Sequence, residues 1–596
     1  MLPGYRLPVT YKIETSNARC PHLLGIPELD WQAETLPHRE VWVLRFIESI
    51  TNKPEWWKKV SNPEISLKWK QDAVGMPGLE RLGGFTEEMA EACLIELRKK
   101  AELYEKTGLI PVMDCEACVI KSDSLLDDDL RDALCTAVAL LENVPESQKD
   151  WHPGSDGKVL NLVDPSLWPL VYGLSRILPD KRISLDNCLE YCGSGSIIPD
   201  PDRPDILVLS NDFGLATGDP VVSDCFQWLP FDVNLTGDKP RIESYINNVH
   251  PVRHANLYPI IERLIEKSLP AWDVVYRSVH AEFDLHRFDV DIEYDCTVPN
   301  VCKWGCDAEN RRWAEDENEG NSDDLDDDGK ERLDNEWYEQ THPLKLPYLR
   351  PDVDEPVTLS PKDVKKTGFF YDAKQIQVIV KLTNIQLTPE KPNHGRGVWH
   401  TEGQFNERIC ATALYYYDCD NITESHVAFR VSTDQEDLYE LEVLRAETEE
   451  EVLERLFAYK DPESKLQELG SVLTRQGRAL FIPNVYQQRA GPFQLVDKTR
   501  PGHCKILALF LVDPKIPIIS TSNVPPQQND WWTESIGDCS ALPTELWEMV
   551  WKYAGTPITE KYAKELRKEL MAERIRAETG EADSHSRRQQ WNYCER

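Results

Sequence analysis

No apolar run in this 596-residue chain approaches the length of a bilayer. Runs such as Ile506–Val512 stop far short of the ~18–20 residues a membrane helix needs, so no transmembrane segment is expected. The opening Met1-Leu-Pro-Gly-Tyr-Arg6 lacks a basic head followed by an apolar stretch. That predicts no secretory leader and a cytoplasmic or nuclear chain. Positive charge is scarce too: 67 Lys+Arg stand against 103 Asp+Glu, a formal net charge of −36. This argues against broad nucleic-acid binding, which needs cations to neutralise phosphates, and against docking on an anionic membrane. Three nucleophile and phosphate signatures are missing: the Gly-x-Ser-x-Gly elbow, the Gly-x4-Gly-Lys-Ser/Thr loop, and a Gly-x-Gly-x-x-Gly after a strand.

What is present is enough for a folded core. Hydrophobic residues make up 41%, with 18 Trp, 21 Tyr and 15 Phe, which excludes wholesale disorder. The 16 cysteines are scattered through Trp- and Leu-rich text, so reduced thiols are expected rather than a disulfide scaffold.

Pattern divides the chain into four stretches. Residues 1–300 read as an α-rich region with short strands. Helical spacing recurs after the N-cap candidate Thr86, over Asp129–Leu141, and over Pro251–Ile265, where Pro259 must start or kink the helix. Residues 307–340 carry a block of like charge, Glu315 to Asp328, expected to be a disordered acidic insertion. The sharper alternative there is calcium: Asp324, Asp326, Asp328 and Gly329 match the start of an EF-hand loop, but its twelfth position falls on Asn335. Residues 341–540 turn to β-branched, alternating text such as Gln375–Thr383 and Lys505–Val512, which predicts a double-sheet jelly roll. Residues 541–596 end in a charged helix, Glu560–Glu578, and a polar tail. The fold class is therefore α+β.

Two kinds of metal chemistry are readable. Cys115-x-x-Cys118 and Cys302-x3-Cys306 are each half of a zinc site, yet no zinc-ribbon spacing links them and neither is flanked by a knuckle-like glycine turn, so free thiols are expected. His400-Thr-Glu402 fits the paired His and carboxylate of a non-haem iron centre, because residues i and i+2 on a strand project to one side. Spacing alone says little, since His38-x-Glu40 and His280-x-Glu282 share it. His400 differs in lying in the strand-rich half, just after the turn Asn393–Gly397. The pairs Trp56-Trp57 and Trp531-Trp532, and the pre-proline His152 and His250, are expected to serve packing and turn structure.

The wording Trp399-His-Thr-Glu-Gly403, Ala411–Asp418, Ser244–Pro251, Asp150–Ser155, Leu511–Pro514 and Ser520–Gln527 resembles a fungal family of unassigned function, the domain-of-unknown-function family numbered 4246, over about residues 1–575. The C-terminal half of that family resembles the jelly roll of 2-oxoglutarate/Fe(II) oxygenases, which implies Fe(II) and 2-oxoglutarate as cofactors and an unknown small-molecule or protein substrate. His400 and Glu402 would then be proximal iron ligands, with the distal ligand at Gln488, where the family pattern has histidine. Cys504 stands where an arginine would hold the far carboxylate of 2-oxoglutarate, and Lys505 should point to the other sheet face. His503 or His426 are the substitutes for the missing imidazole, and Arg478 or Arg489 for the missing guanidinium. The alternative reading is a catalytically degenerate member acting as a binding or scaffolding protein.

Overall fold

A computed structural model of the chain describes residues 2–5, 31, 33–77, 79, 83–200, 223, 225–280, 282–290, 294–311, 327–350, 358–370, 372–433, 456–457, 466–536, 546 and 558–579. The architecture is mixed helix and sheet, built on one large antiparallel sheet. Its helices are α1 (His38–Thr51), α2 (Trp56–Lys59), α3 (Pro63–Val74), α4 (Glu87–Thr107), α5 (Asp128–Glu142), α6 (Leu257–Val279), α7 (Asp327–Thr341), α8 (Asn529–Ile536) and α9 (Glu560–Thr579). The principal strands are β1 (Ile110–Val112), β2 (Val119–Ser122), β3 (Asp150–Trp151), β4 (Val159–Val163), β5 (Phe231–Asn234), β6 (Arg241–Ile242), β7 (Gln375–Leu387), β8 (Ile409–Asp420), β9 (Ser425–Ser432), β10 (Leu466–Thr474), β11 (Ala479–Pro483), β12 (Gln487–Ala490) and β13 (Gly502–Val512).

The large sheet runs β1–β2–β11–β8–β13–β7–β4–β3, with β5 also on β7 and β6 on β5. Strand β13 sits at its centre, pairing Leu509 with Val380 of β7 and with Ala413 of β8. Strands β10–β9–β12 form a second sheet. It is extended by an isolated bridge between His400 and Gln488, and Asn393–His394 with Phe493–Gln494 make a separate two-stranded ladder. From residue 375 onward the chain therefore alternates between the two sheets.

Side-chain alternation assigns the faces. Leu507, Leu509 and Leu511 of β13 join Ala413, Tyr415 and Tyr417 of β8 in a core with α5 and α6. Ser268 of α6 reaches the Tyr415 hydroxyl at 2.7 Å. On the opposite face Cys504 and Ile506 share a core with Val427, Phe429 and Val431 of β9, and with Trp42 and Phe46 of α1. Thr86 acts as the expected N-cap, its Oγ1 accepting from the Met89 amide (3.2 Å) at the start of α4, and Asp127 caps α5 in the same way by accepting from the Leu130 amide (2.9 Å). Pro259 falls in the first turn of α6, where its missing N–H has no intrahelical partner to lose.

Two expectations change. The boundary near residue 300 runs through a single sheet, because β1–β6 lie before it and three of them, β2, β4 and β5, pair directly with strands after residue 375. The β1–β2 hairpin covers the edge of β11, which would otherwise present unpaired backbone groups. Of the stretch 307–340, expected to be disordered, Asp327–Thr341 forms a helix, while 312–326 lie outside the described residues. Gly329 is helical, so it does not make the sharp turn an EF-hand loop needs. Among the described residues no helix is long and apolar enough to cross a membrane.

Candidate active site

His400 and Glu402 precede β8 at the edge of the second sheet. The His400 amide donates to the Gln488 carbonyl (3.0 Å), and the Gln488 amide donates back to the His400 carbonyl (2.8 Å). This pairing puts the side chains of His400 and Gln488 on one face, the face that Phe429, opposite Gln488, turns toward the core. Gln488 Nε2 donates to Glu402 Oε1 at 2.7 Å, and His400 Nε2 lies 3.7 Å from the same oxygen. Glu402 and Gln488 are both buried, at 4% and 5% exposure. The three residues picked from sequence thus converge.

Glu402 is held by its neighbours. Asn484, in the turn between β11 and β12, accepts from the Glu402 amide through Oδ1 (2.8 Å). Its Nδ2 donates to the carbonyls of Glu402 and Ile409, both at 2.9 Å. Gly403 has φ +67, and a Cβ there would meet Glu407 Oε2 at 2.6 Å and Ile409 Cδ1 at 2.7 Å. Only glycine fits, which accounts for the Glu-Gly pair. Buried Glu407 then closes the turn: it accepts from the amides of Gln404 and Trp228 (2.7 Å each) and pairs with Arg574 of α9 (2.7 Å). Asn484 and Glu407 were missed in the sequence. Asn484 carries a weak signal, a Pro-Asn step directly after a strand.

The remaining candidates do not join the site. His503 and Lys505 project to the opposite face of β13, where both meet Asp418 Oδ2, at 2.9 and 3.1 Å, and Lys505 also meets Glu142 (3.1 Å). Burial raises the Asp418 pKa, but Lys505 and His503 outweigh it and hold it below its ordinary value. His426 is exposed. Arg478 is buried against Asp123 (2.7 and 2.8 Å). Arg489 lies on the far side of β12, because it alternates with Gln488; its guanidinium stacks on Trp399 at 4.1 Å, with Arg430 over the same ring at 4.8 Å. Burial, then Arg489, pushes the Arg430 pKa down to about 10. Cys504 faces inward, its Sγ 3.2 Å from that of Cys419. That contact, and then burial, raises its pKa well above the ordinary thiol value, so it is a neutral group with no charge to offer a carboxylate.

The donor set is therefore incomplete for a two-His, one-carboxylate iron centre. His400 and Glu402 fit such a centre, but Gln488 presents an N–H to the carboxylate rather than a lone pair to a metal. Among the described residues no third imidazole, thiol or carboxylate gathers with them.

Comparison with known proteins agrees with the resemblance as to the family numbered 4246, while a fungal origin is not shown by it. No curated protein matches. Among solved structures, an Fe(II)/(alpha)ketoglutarate-dependent dioxygenase, TqaL, is 14% identical over 33% of this chain and 58% of its own, with a TM-score of 0.15. A bsmA homolog from Methylobium petroleophilum PM1 is 10% identical over 23% and 42%, also at 0.15. IDO from Bacillus thuringiensis is 9% identical over 28% and 66%, again at 0.15. This chain thus spans less than two thirds of each, and likenesses of that size carry no argument about chemistry. The family comparison is of another order: residues 87–535 match the protein of unknown function DUF4246, and residues 2–72 match the N-terminal domain of DUF4246. The chain belongs to the DUF4246 family.

Proposed function

We propose that this protein is a 2-oxoglutarate/Fe(II) oxygenase-like protein that is catalytically degenerate and acts as a binding or scaffolding protein. Support for the barrel comes from the alternation of the chain between two facing sheets after residue 375, with His400 at the edge of one and Gln488 opposite it. The observation that carries the degenerate reading is the 2.7 Å hydrogen bond from Gln488 Nε2 to Glu402 Oε1 between two buried side chains. An amide hydrogen aimed at the carboxylate stands where a third ligand would have to offer an electron pair. A neutral amide is also a far weaker partner for Fe(II) than imidazole. Cys504, in the place where an arginine would meet the far carboxylate of 2-oxoglutarate, leaves a buried dianion without a paired charge.

One observation favours the opposite reading, an active oxygenase. Gln488 Oε1 is buried with no hydrogen-bond partner, so turning the amide over would bring an oxygen to His400 Nε2 and Glu402 if a cation sat between them. Anaerobic Fe(II) titration followed by calorimetry separates the two. The degenerate reading expects no stoichiometric Fe(II) binding by the parent protein and binding gained by Gln488→His with Cys504→Arg. One Fe(II) per parent chain, with conversion of 2-oxoglutarate to succinate, would overturn it.

A further inference from the structure

Between the ladder strands Phe288–Asp289 and Tyr348–Leu349 the chain makes an excursion that returns through a bridge of Tyr294 with Leu344. Among its described residues this excursion has almost no apolar interior. Of its described hydrophobic residues Leu344 alone is buried, and Trp304 is 99% exposed. An extension that cannot bury apolar surface needs another kind of staple.

Four donor side chains meet at its centre. The Sγ atoms of Cys296, Cys302 and Cys306 and a ring nitrogen of His342 all lie within 4.8 Å of one another. Cys302 Sγ is 3.4 Å from His342 Nε2. Tetrahedral zinc, with bonds of about 2.3 Å to sulfur and about 2.0–2.1 Å to nitrogen, holds its donors about 3.5–3.8 Å apart, so the group needs only a small contraction. Cys302 and Cys306 span a turn closed by the Gly305 amide donating to the Cys302 carbonyl (3.3 Å), with Gly305 at φ +132. The glycine turn in Cys302-Lys-Trp-Gly-Cys306 corrects the expectation that neither cysteine pair is flanked by one.

His342 is almost fully buried, at 1% exposure, and its ring stacks on Tyr338 at 4.3 Å. Thr341 Oγ1 donates its single hydrogen to the Trp337 carbonyl (2.7 Å) and lies 3.0 Å from His342 Nδ1. The hydroxyl oxygen is therefore the acceptor at Nδ1, which puts the ring hydrogen there and leaves the Nε2 lone pair facing Cys302. Orienting a histidine through its second nitrogen is how metal sites set the ligating atom. Asn310 Nδ2 points at Cys302 Sγ from 3.8 Å, a donor suited to a thiolate.

We propose that Cys296, Cys302, Cys306 and His342 form a structural zinc site that closes this excursion, separate from the His400 cluster. Three sulfurs cannot all pair as disulfides, and with the imidazole they complete a closed four-donor set that leaves no position for catalysis. The zinc pairing weighed from sequence is replaced: Cys302 and Cys306 take part, whereas Cys115 and Cys118 are buried thiols elsewhere, Cys115 lying 3.1 Å from the Tyr486 hydroxyl.

The test is metal analysis of the full chain purified under reducing conditions, with Co(II) exchange as the spectroscopic readout. About one zinc per chain is expected, together with thiolate-to-cobalt charge transfer and the visible bands of a tetrahedral site. Cys302→Ser and His342→Ala should each bring the zinc content close to zero, while the Cys115→Ser/Cys118→Ser and His400→Ala variants should keep it. The proposal is overturned if the parent neither holds zinc nor gives the tetrahedral cobalt spectrum. It is equally overturned if peptide mapping finds two of the three cysteines joined as a disulfide, or if zinc is lost with Cys115 and Cys118 instead.

Discussion

Three of the clusters that bring histidine together with acids or thiols are balanced differently. At Cys296, Cys302, Cys306 and His342 four nitrogen and sulfur donors converge in a segment whose described residues bury little apolar surface. At His400, Glu402 and Gln488 the scaffold is dense and the backbone register holds the residues face to face, but an amide hydrogen already occupies the carboxylate. At His286, Glu34 and Glu116 the protein supplies both charges: the imidazole sits 3.2 Å from Glu34 and 3.0 Å from Glu116. The difference separates scaffold from donor set. A rigid frame can hold residues face to face while a neighbour satisfies the ligand, whereas a full donor set can stand where the described residues bury little apolar surface.

The largest effect that would break this comparison is at the thiol cluster. Stripping zinc with a chelator should make the segment 294–344 sensitive to protease, with the rest of the chain resistant, since zinc binding in small sites is worth about 10–16 kcal/mol in apparent terms. Unchanged protection would place its order elsewhere. Next is the frame around Glu402. Asn484→Ala leaves a buried amide and two carbonyls without their partner and should destabilise the protein by about 3 kcal/mol, read as a shift of the denaturation midpoint. Then comes Gln488→His, which replaces the amide donor with an imidazole and should tighten Fe(II) binding at least about tenfold, or 1.4 kcal/mol, in calorimetry.

The smallest effect is a slope with pH. Burial opposes the charge on His286, yet its hydrogen bonds to Glu116 and Glu34 prevail and hold its pKa at about 10. A folded-state value above the unfolded one, about 6.5, means the stabilisation is complete below pH 6.5. It is then lost as pH rises through 10. His286→Gln should flatten that part of the stability profile, and a parallel profile in both proteins would show that the pair does not couple to folding.

How much was legible follows from which forces are local. Thr86 could be read as a cap because a cap acts within a turn of helix, and Gln375–Thr383 as a strand because its alternation is written in consecutive residues; the strand itself runs on to Leu387. His400 and Glu402 could be singled out by their place in the strand-rich half just after the turn Asn393–Gly397 and by the Trp399–Gly403 wording of the resemblance, because their spacing is shared by His38-x-Glu40 and His280-x-Glu282. Asn484 was not, because its work is to bridge Glu402 and Ile409 from some 80 residues away. Lys505 was placed on the far face by strand alternation, and it lies there against Glu142 and Asp418. Arg489 was open as a carboxylate partner and is taken by Trp399 instead, a contact across two strands with no trace in the neighbouring text.

By itself the sequence determined the α+β class and the absence of a membrane-length apolar run, both of which depend on neighbours within a few residues. Only the tertiary structure decided that strands before residue 300 complete the sheet of the second half, that Gln488 turns an N–H toward Glu402, and that Cys296 and His342 join Cys302 and Cys306. Each of these is a pairing across a long loop, and such pairings are set by the burial of whole faces rather than by any local preference.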